Sequence, residues 1–392
     1  MNPKELYLQA DQNRTAQLLK ELVLRESEAP PGNEAAVGEH LFDFFKNLGY
    51  CPEKQYCDSR RFNLLVRIPG KGRNRKTFLY SGHMDVVPAG DYAGWASPPY
   101  APEVRNGRLY GRGSCDMKGS IACMMHFCEL LAKNKLVPEH DLLLFLDVDE
   151  EHHNLGMKEF LKHPAKADFA VIGEPTEMEI ALGHRGVMAF SVTFFGKGAH
   201  ASQPQNGINS ILYAGRFFME AEKLNREISK KTDPLLGAGS VGVTMINGGV
   251  KVNTIPERCT VQLDRRLTAG ETKAGALHQI ESLIGKMRRN DPSVRAEVEI
   301  TTYCPPGRLP EDNPYLEALC EAVMENTGTK PGYTAFTASC EAGLLTQETG
   351  IPAVILGPGS IAQAHRTDEY IELSQLLLGA KIYASFFTRL LF

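Results

Sequence analysis

Residues 77–85 read TFLYSGHMD, 142–151 read LLLFLDVDEE, 169–177 read FAVIGEPTE and 353–360 read AVILGPGS. In each, a short apolar run ends abruptly at Gly, Pro or an acid, the pattern of a strand buried on both faces. Stretches of helical period lie between them, over 121–132 and 157–161. Strand and helix in alternation predict an α/β domain with a mostly parallel sheet. Ligands of such sheets bind beyond the carboxyl ends of the strands. His83, Asp85, Glu150, Glu151 and Glu174 stand at those ends, and His365 follows one loop after the last of them.

Between 184 and 298 the pattern changes. RGVMAFSVTFFGKG alternates, with Met188, Phe190, Val192 and Phe194 on one face, as in a half-buried strand. A helical stretch (Ile208, Ile211, Leu212, Phe218, Leu224) follows, then SVGVTMI, the alternating CTVQLDRRL, a helix over 271–288 and VRAEVEIT. This order predicts an α+β insert, a four-stranded antiparallel sheet with two helices on one face. The expected domains are 1–183 and 299–392 for the larger sheet and 184–298 for the insert. Residues 71–76 read as a solvated loop.

A chain of 392 residues exceeds what one hydrophobic core spans, in keeping with two domains. Its 43 Lys+Arg against 47 Asp+Glu leave no basic field for nucleic acid or an anionic membrane. No apolar run approaches the roughly 20 residues of a membrane span. The polar opening MNPKELYLQADQNRTAQLL has neither a signal-peptide core nor an Arg-rich transit pattern. A cytoplasmic globular protein is therefore expected. The nine cysteines are scattered without a CxxC pair, which excludes a zinc ribbon or a redox dithiol and predicts reduced, buried thiols.

The chemistry is expected among the acids and imidazoles. His83 and Asp85 alternate on an extended segment, so Asp85 is expected to support His83 by accepting its other ring N–H. In LYGRGSCDMKGSIACMMH, Gly111 and Gly113 permit a tight turn before Asp116. Asp116 reads either as a helix N-cap or as a carboxylate shared by two metals. A dinucleotide loop would need Gly at 116, and no GxxxxGK[ST] occurs. Three consecutive acids, Asp149 to Glu151, repel one another after a buried strand unless a cation neutralises them. One of two adjacent glutamates can ligate while the other acts as general base. Taken together, two His and three carboxylates at one sheet rim suffice for two metal ions.

SGHMDVVP, GRGSCDMKG, DEE, GEPT and the late AH resemble, in order and over nearly the whole chain, the dinuclear-zinc amidohydrolases. That family includes acetylornithine deacetylase, succinyl-diaminopimelate desuccinylase, aminoacylase and carboxypeptidase-G-type enzymes. The resemblance implies a zinc-peptidase-like catalytic domain and an inserted lid or dimerisation domain. It implies two zinc or cobalt ions, one held by His83, Asp116 and Glu174 and the other by Asp116, Glu151 and His365. Glu150 would be the general base and Asp85 would orient His83. His200 in GKGAHASQP would stabilise an oxyanion, and Asn253 in VNTIP and Arg266 in LDRRL would bind substrate. A homodimer is implied as well.

GPGSIAQAHRTDEYI and IGEPTEMEIALGHRG resemble the acetylornithine deacetylase branch, so the expected substrate is N-acetylornithine. A desuccinylase, an acetylcitrulline deacetylase, or a dipeptidase or carboxypeptidase are the alternatives within the family. In TASCEAG, Cys340 stands where that branch has Thr, and Glu341 is a candidate partner for a substrate ammonium. A metal-free binding protein would be expected to lack some of these ligands, and the sequence carries all of them.

Overall fold

The computed structural model describes residues 2–392. Among them the chain divides into two compact units, residues 2–183 with Arg308–Phe392, and His184–Gly307. The inserted unit thus runs to Gly307, beyond residue 298. Its last strand, Arg295–Cys304, keeps pairing along Gly186–Phe195 well past the alternating residues that flagged it.

The larger unit is built on a mixed sheet that is parallel at its centre. Thr77–His83 lies between Asp141–Asp147 and Phe169–Ile172, and Ala353–Ile355 follows, all four running parallel. Antiparallel strands flank them: Phe62–Ile68 and Cys51–Tyr56 on one side, Ile180–His184 on the other. Alternate residues of the central strands point to opposite faces. Leu79, Leu143, Phe145, Ala170, Ile172 and Ile355 pack on one face with Met157, Phe160 and Leu345. On the other face Tyr80 meets Tyr383 edge-on and Phe169 meets Phe386, both from the helix Leu373–Leu391. The helix Lys118–Lys133 is buried along most of its length on that face, with Ser120 bridging Tyr80 and Tyr383. Covering both faces is what parallel strands require, and it leaves only their ends open to ligand.

The smaller unit is a four-stranded antiparallel sheet with Ser240–Gly248 at one edge and Arg295–Cys304 at the other. Met188, Phe190, Val192 and Phe194 share one core with Phe217 of the helix Ser210–Ile228 and with Ile280 and Ile284 of Lys273–Asn290. Both helices therefore lie on the same sheet face, as the alternation predicted. Arg265, on a neighbouring strand, is only 1% exposed and is held by Glu271 and by main-chain carbonyls.

All nine cysteines are free, but only five are fully buried; Cys51 is exposed and Cys57, Cys304 and Cys320 are half-buried. Cys51 and Cys57 flank or end a strand at the sheet edge, where one side of the chain faces solvent. No helix among the described residues is long and apolar enough to cross a membrane.

The insert has its own core, and the strand leading into it and the one leading out pair side by side. Residues 184–307 expressed alone are therefore expected to fold. Circular dichroism and a urea titration should show an α+β spectrum and one cooperative transition; a featureless, non-cooperative chain would contradict this.

Candidate metal centre

The strand Thr77–His83 ends on a ring that is 1% exposed. His83 Nδ1 lies 3.0 Å from the main-chain oxygen of Asp85, which can only accept, so Nδ1 carries the proton. Nε2 then faces Asp116 Oδ1 at 3.3 Å and Glu174 Oε1 at 3.9 Å. A ring nitrogen aimed at two carboxylates needs a proton or a cation between them. The expectation for Asp85 is corrected here. Its carboxylate stands 3.8 Å from Nδ1 and instead accepts the main-chain N–H groups of Glu150 and Glu151, at 3.1 and 3.0 Å. The alternation of an extended segment sends its side chain away from the ring and towards the neighbouring loop.

That loop turns sharply after Asp141–Asp147. Asp149 is left-handed at φ 66°, and its carbonyl accepts from His152, His153 and Asn154. Its carboxylate accepts from Arg61 Nη1 at 2.8 Å. Asp149 within the turn and Asp85 beside it are thus held by hydrogen bonds that leave the Glu150 and Glu151 side chains to face the site. Asp116 is 6% exposed and does not cap a helix: the helix starts at Lys118 with no side-chain cap bond. Its second oxygen lies 3.4 Å from His365 Nε2, which also meets Glu151 Oε1 at 3.0 Å. His365 is itself left-handed at φ 63°. Gly173, just before Glu174, has to be glycine because a Cβ would sit 2.3 Å from Ser120 Oγ and 2.5 Å from the Tyr80 hydroxyl.

All five expected ligands and Glu150 converge. Ligand atoms of His83, Asp116 and Glu151 lie within 4.8 Å of one another, as do those of His83, Glu150 and Glu174. Burial raises the Asp116 carboxyl, but hydrogen bonds from His365 and His83 outweigh it and hold it below the usual range. Burial, then neighbouring charges including Asp116 or Glu151, pushes Glu174 and Glu150 well above that range. Contacts with Asp116 and Glu151 push His365 up to about 10. So many acids so close together hold their protons or share them with imidazoles unless dications take over. Mixed imidazole and carboxylate donors fit zinc, or cobalt in its place.

Glu341 does not stand where a substrate ammonium could meet it. It is 1% exposed, accepts from Ser81 Oγ at 2.8 Å, and faces Asp147. It sits at the start of the helix Ala342–Thr349, whose packing under the sheet takes it inside. The three insert residues are exposed or half-exposed. His200 and Asn253 come together because Ala199–His200 pairs with Thr254–Ile255. Arg266 makes an ion pair with Asp264 at 2.8 Å.

Residues that the sequence reading missed support these. Glu369 and Arg112 form a buried ion pair at 2.7 Å beside Asp116, and Arg61 anchors Asp149. Nothing in the sequence marks an Arg within GRG or an acid within TDEY, since only the fold shows what they face.

The sequence profile of peptidase family M20/M25/M40 matches residues 79–389. An acetylornithine deacetylase of Myxococcus xanthus is 30% identical over 84% of this chain and 85% of its own length. A probable succinyl-diaminopimelate desuccinylase of Staphylococcus epidermidis is 26% identical over 94% of this chain and 96% of its own. The crystal structure of aminopeptidase PepT from Bacillus cereus superimposes with a TM-score of 0.81 at 19% identity, covering 97% of this chain and 98% of that one. At that identity the match speaks for the fold.

Burial, then Glu341, pushes Asp147 well above the usual carboxylate range. A raised folded-state value means stability is full below the unfolded value near 4 and is lost as pH rises through the folded one. Glu341→Gln removes one of the facing charges and offers an amide donor. At equal metal content, urea unfolding at pH 5, 7 and 9 should show a shallower decline for the variant. At pH 9 it should gain on the order of 1–2 kcal/mol; parallel curves would count against the facing pair.

Proposed function

Because the chain belongs to peptidase family M20/M25/M40 and is therefore a metal-dependent hydrolase, we propose that it cleaves the amide of an N-acyl amino acid. N-acetylornithine, giving ornithine and acetate, is the substrate this reading selects. The observation that carries it is Asp116 set between His83 and His365, with Glu174 and Glu151 behind them. In this reading His83, Asp116 and Glu174 hold one ion and Asp116, Glu151 and His365 the other. When bound, such a pair supplies Lewis acidity to the amide carbonyl and lowers the pKa of water.

The chain's own residues do the rest. Glu150, a half-buried carboxyl pushed up by desolvation, takes a proton from the attacking water and passes it to the departing amine. His200 donates to the oxyanion. Its Nδ1 accepts the main-chain N–H of Ser202 at 3.2 Å, which places the ring proton on Nε2, the outward donor. Removing such a donor costs roughly 3–4 kcal/mol of transition-state stabilisation in other hydrolases. Arg266 and Asn253 grip the substrate carboxylate, with the guanidinium suited to a two-bond hold.

The choice of substrate is supported by the deacetylase relative and by the sequence around Glu174 and His365. The similar desuccinylase keeps that activity as the second reading. A protomer pairing through the insert is part of the proposal. Ser240–Gly248 is an open sheet edge carrying Met245 at 61% and Ile246 at 50% exposure, and the adjacent helix exposes Leu212 and Met219.

The protein loaded with zinc or cobalt is expected to turn over N-acetylornithine faster than N-succinyl-diaminopimelate, N-acetylcitrulline or simple dipeptides. No turnover of N-acetylornithine, with turnover of another, would refute the choice. Glu150→Gln should keep the metal content by elemental analysis and lower kcat by about two to four orders of magnitude. Light scattering in solution should give twice the 43.3 kDa chain mass; a monomer would remove the dimer from the proposal.

A further inference from the structure

Two loops far apart in sequence supply the shared carboxylate and the last imidazole: 111–116 carries Asp116 and 365–369 carries His365. The pairing of Arg108–Tyr110 with Tyr370–Glu372 sets them side by side, with Gly111 N–H donating to the Glu369 carbonyl at 2.9 Å. The Glu369 side chain then turns into the first loop. One of its oxygens accepts from Cys115 N at 2.9 Å and Asp116 N at 3.1 Å. The other accepts from Gly113 N at 3.0 Å and Arg112 Nη1 at 2.7 Å. Four donors and no acceptor surround it, and it is 1% exposed. The 113–116 main chain is thus wrapped round an anion as a nest of N–H groups. Arg112, 2% exposed, also donates to the Arg366 carbonyl at 3.1 Å, next to His365.

We infer that Glu369, clasped by Arg112, is a positioning residue that fixes Asp116 and His365 relative to each other. This inference rests on the reading that those two side chains hold metal. Asp116 has two oxygens facing different imidazoles, at 3.3 and 3.4 Å, so a small rotation of its main chain would spoil both contacts at once. The N–H of Asp116 itself ends on Glu369, which stops that rotation. Arg112 performs the matching task for the His365 loop. Outer partners of this kind change metal affinity by roughly ten- to a hundredfold when replaced.

Glu369→Gln keeps the shape but turns an amide NH₂ towards at least one pair of donors. Arg112→Gln leaves the three main-chain N–H contacts and cuts the tie to residue 366. Glu372→Gln is the control, because Glu372 pairs with Arg108 at 2.7 Å across the same two strands and touches neither loop. Metal-free full-length protein is titrated with cobalt(II), following the visible absorption bands and the dissociation constant of each equivalent. Glu369→Gln should weaken both equivalents at least tenfold and alter the cobalt spectrum, since Asp116 is common to both ions. Arg112→Gln should weaken chiefly one equivalent, that of the ion held with His365, and it carries the test if Glu369→Gln fails to fold. Glu372→Gln should bind as the unaltered protein does. Unchanged constants and spectra in the variants would overturn the inference while leaving the metal reading intact. Equal losses in Glu372→Gln would also overturn it, by showing a general stapling of strands. An unaltered protein that binds fewer than two cobalt ions would instead overturn the metal reading, and this inference with it.

Discussion

Asp116, itself buried, stands between the buried His83 ring and the exposed His365 ring, with Glu150, Glu151 and Glu174 close by. Placing that much negative charge in a low-dielectric cleft is unfavourable, and the penalty shows as carboxyls held above and imidazoles held above their ordinary values. No rearrangement of neighbouring hydrophobic residues relieves it. The cluster is tolerable only if protons or cations enter it, and a fold that retains it is a fold built to hold cations. The parallel strands serve this requirement. His83 and Glu174 follow their buried ends, while Asp116 and His365 come from two loops that hydrogen bonds to Glu369 and Arg112 tie together.

The neighbouring main chain carries a second part of the same burden. Asp85 is bound by two N–H groups of the Glu150–Glu151 turn, and Glu369 by three of the Asp116 loop. In both cases a buried acid takes its partners from peptide groups of the segment that bears the functional side chain. The acid then behaves as a fixed post around which that segment is folded. Both carboxylates are buried, at 0% and 1% exposure, because their partners are main-chain groups inside the fold.

The sheet was legible because its central strands are short apolar runs with abrupt ends, and nothing else gives that pattern in a chain of this composition. His83 and Glu174 stood out for the same reason, since they follow such strand ends, whereas Asp116 and His365 lie in loops and were indicated by the family resemblance. The insert was legible from alternation, but its last strand was cut short because EITTYC no longer alternates cleanly while its backbone goes on pairing. Asp85, Glu341 and Glu369 were misread or missed for one shared reason. The partner of an acid is a matter of tertiary contact, and main-chain N–H groups leave no mark in a sequence. Glu341 carries an acid's letter in a loop, yet its helix packs under the sheet and takes it inside, opposite Asp147.

The same contrast explains why the reaction class is better determined than the substrate. Holding cations with five side chains at fixed separations is a demand that leaves its trace as motifs in fixed order. Recognising one acyl amino acid over another needs a few donors at the rim, and a rim side chain changes without disturbing the sheet beneath it. PepT superimposes over nearly the whole chain while sharing 19% of its residues, so the scaffold persists through wide divergence of sequence. Whatever separates acetyl from succinyl, or ornithine from diaminopimelate, therefore lies in side chains that the fold does not constrain.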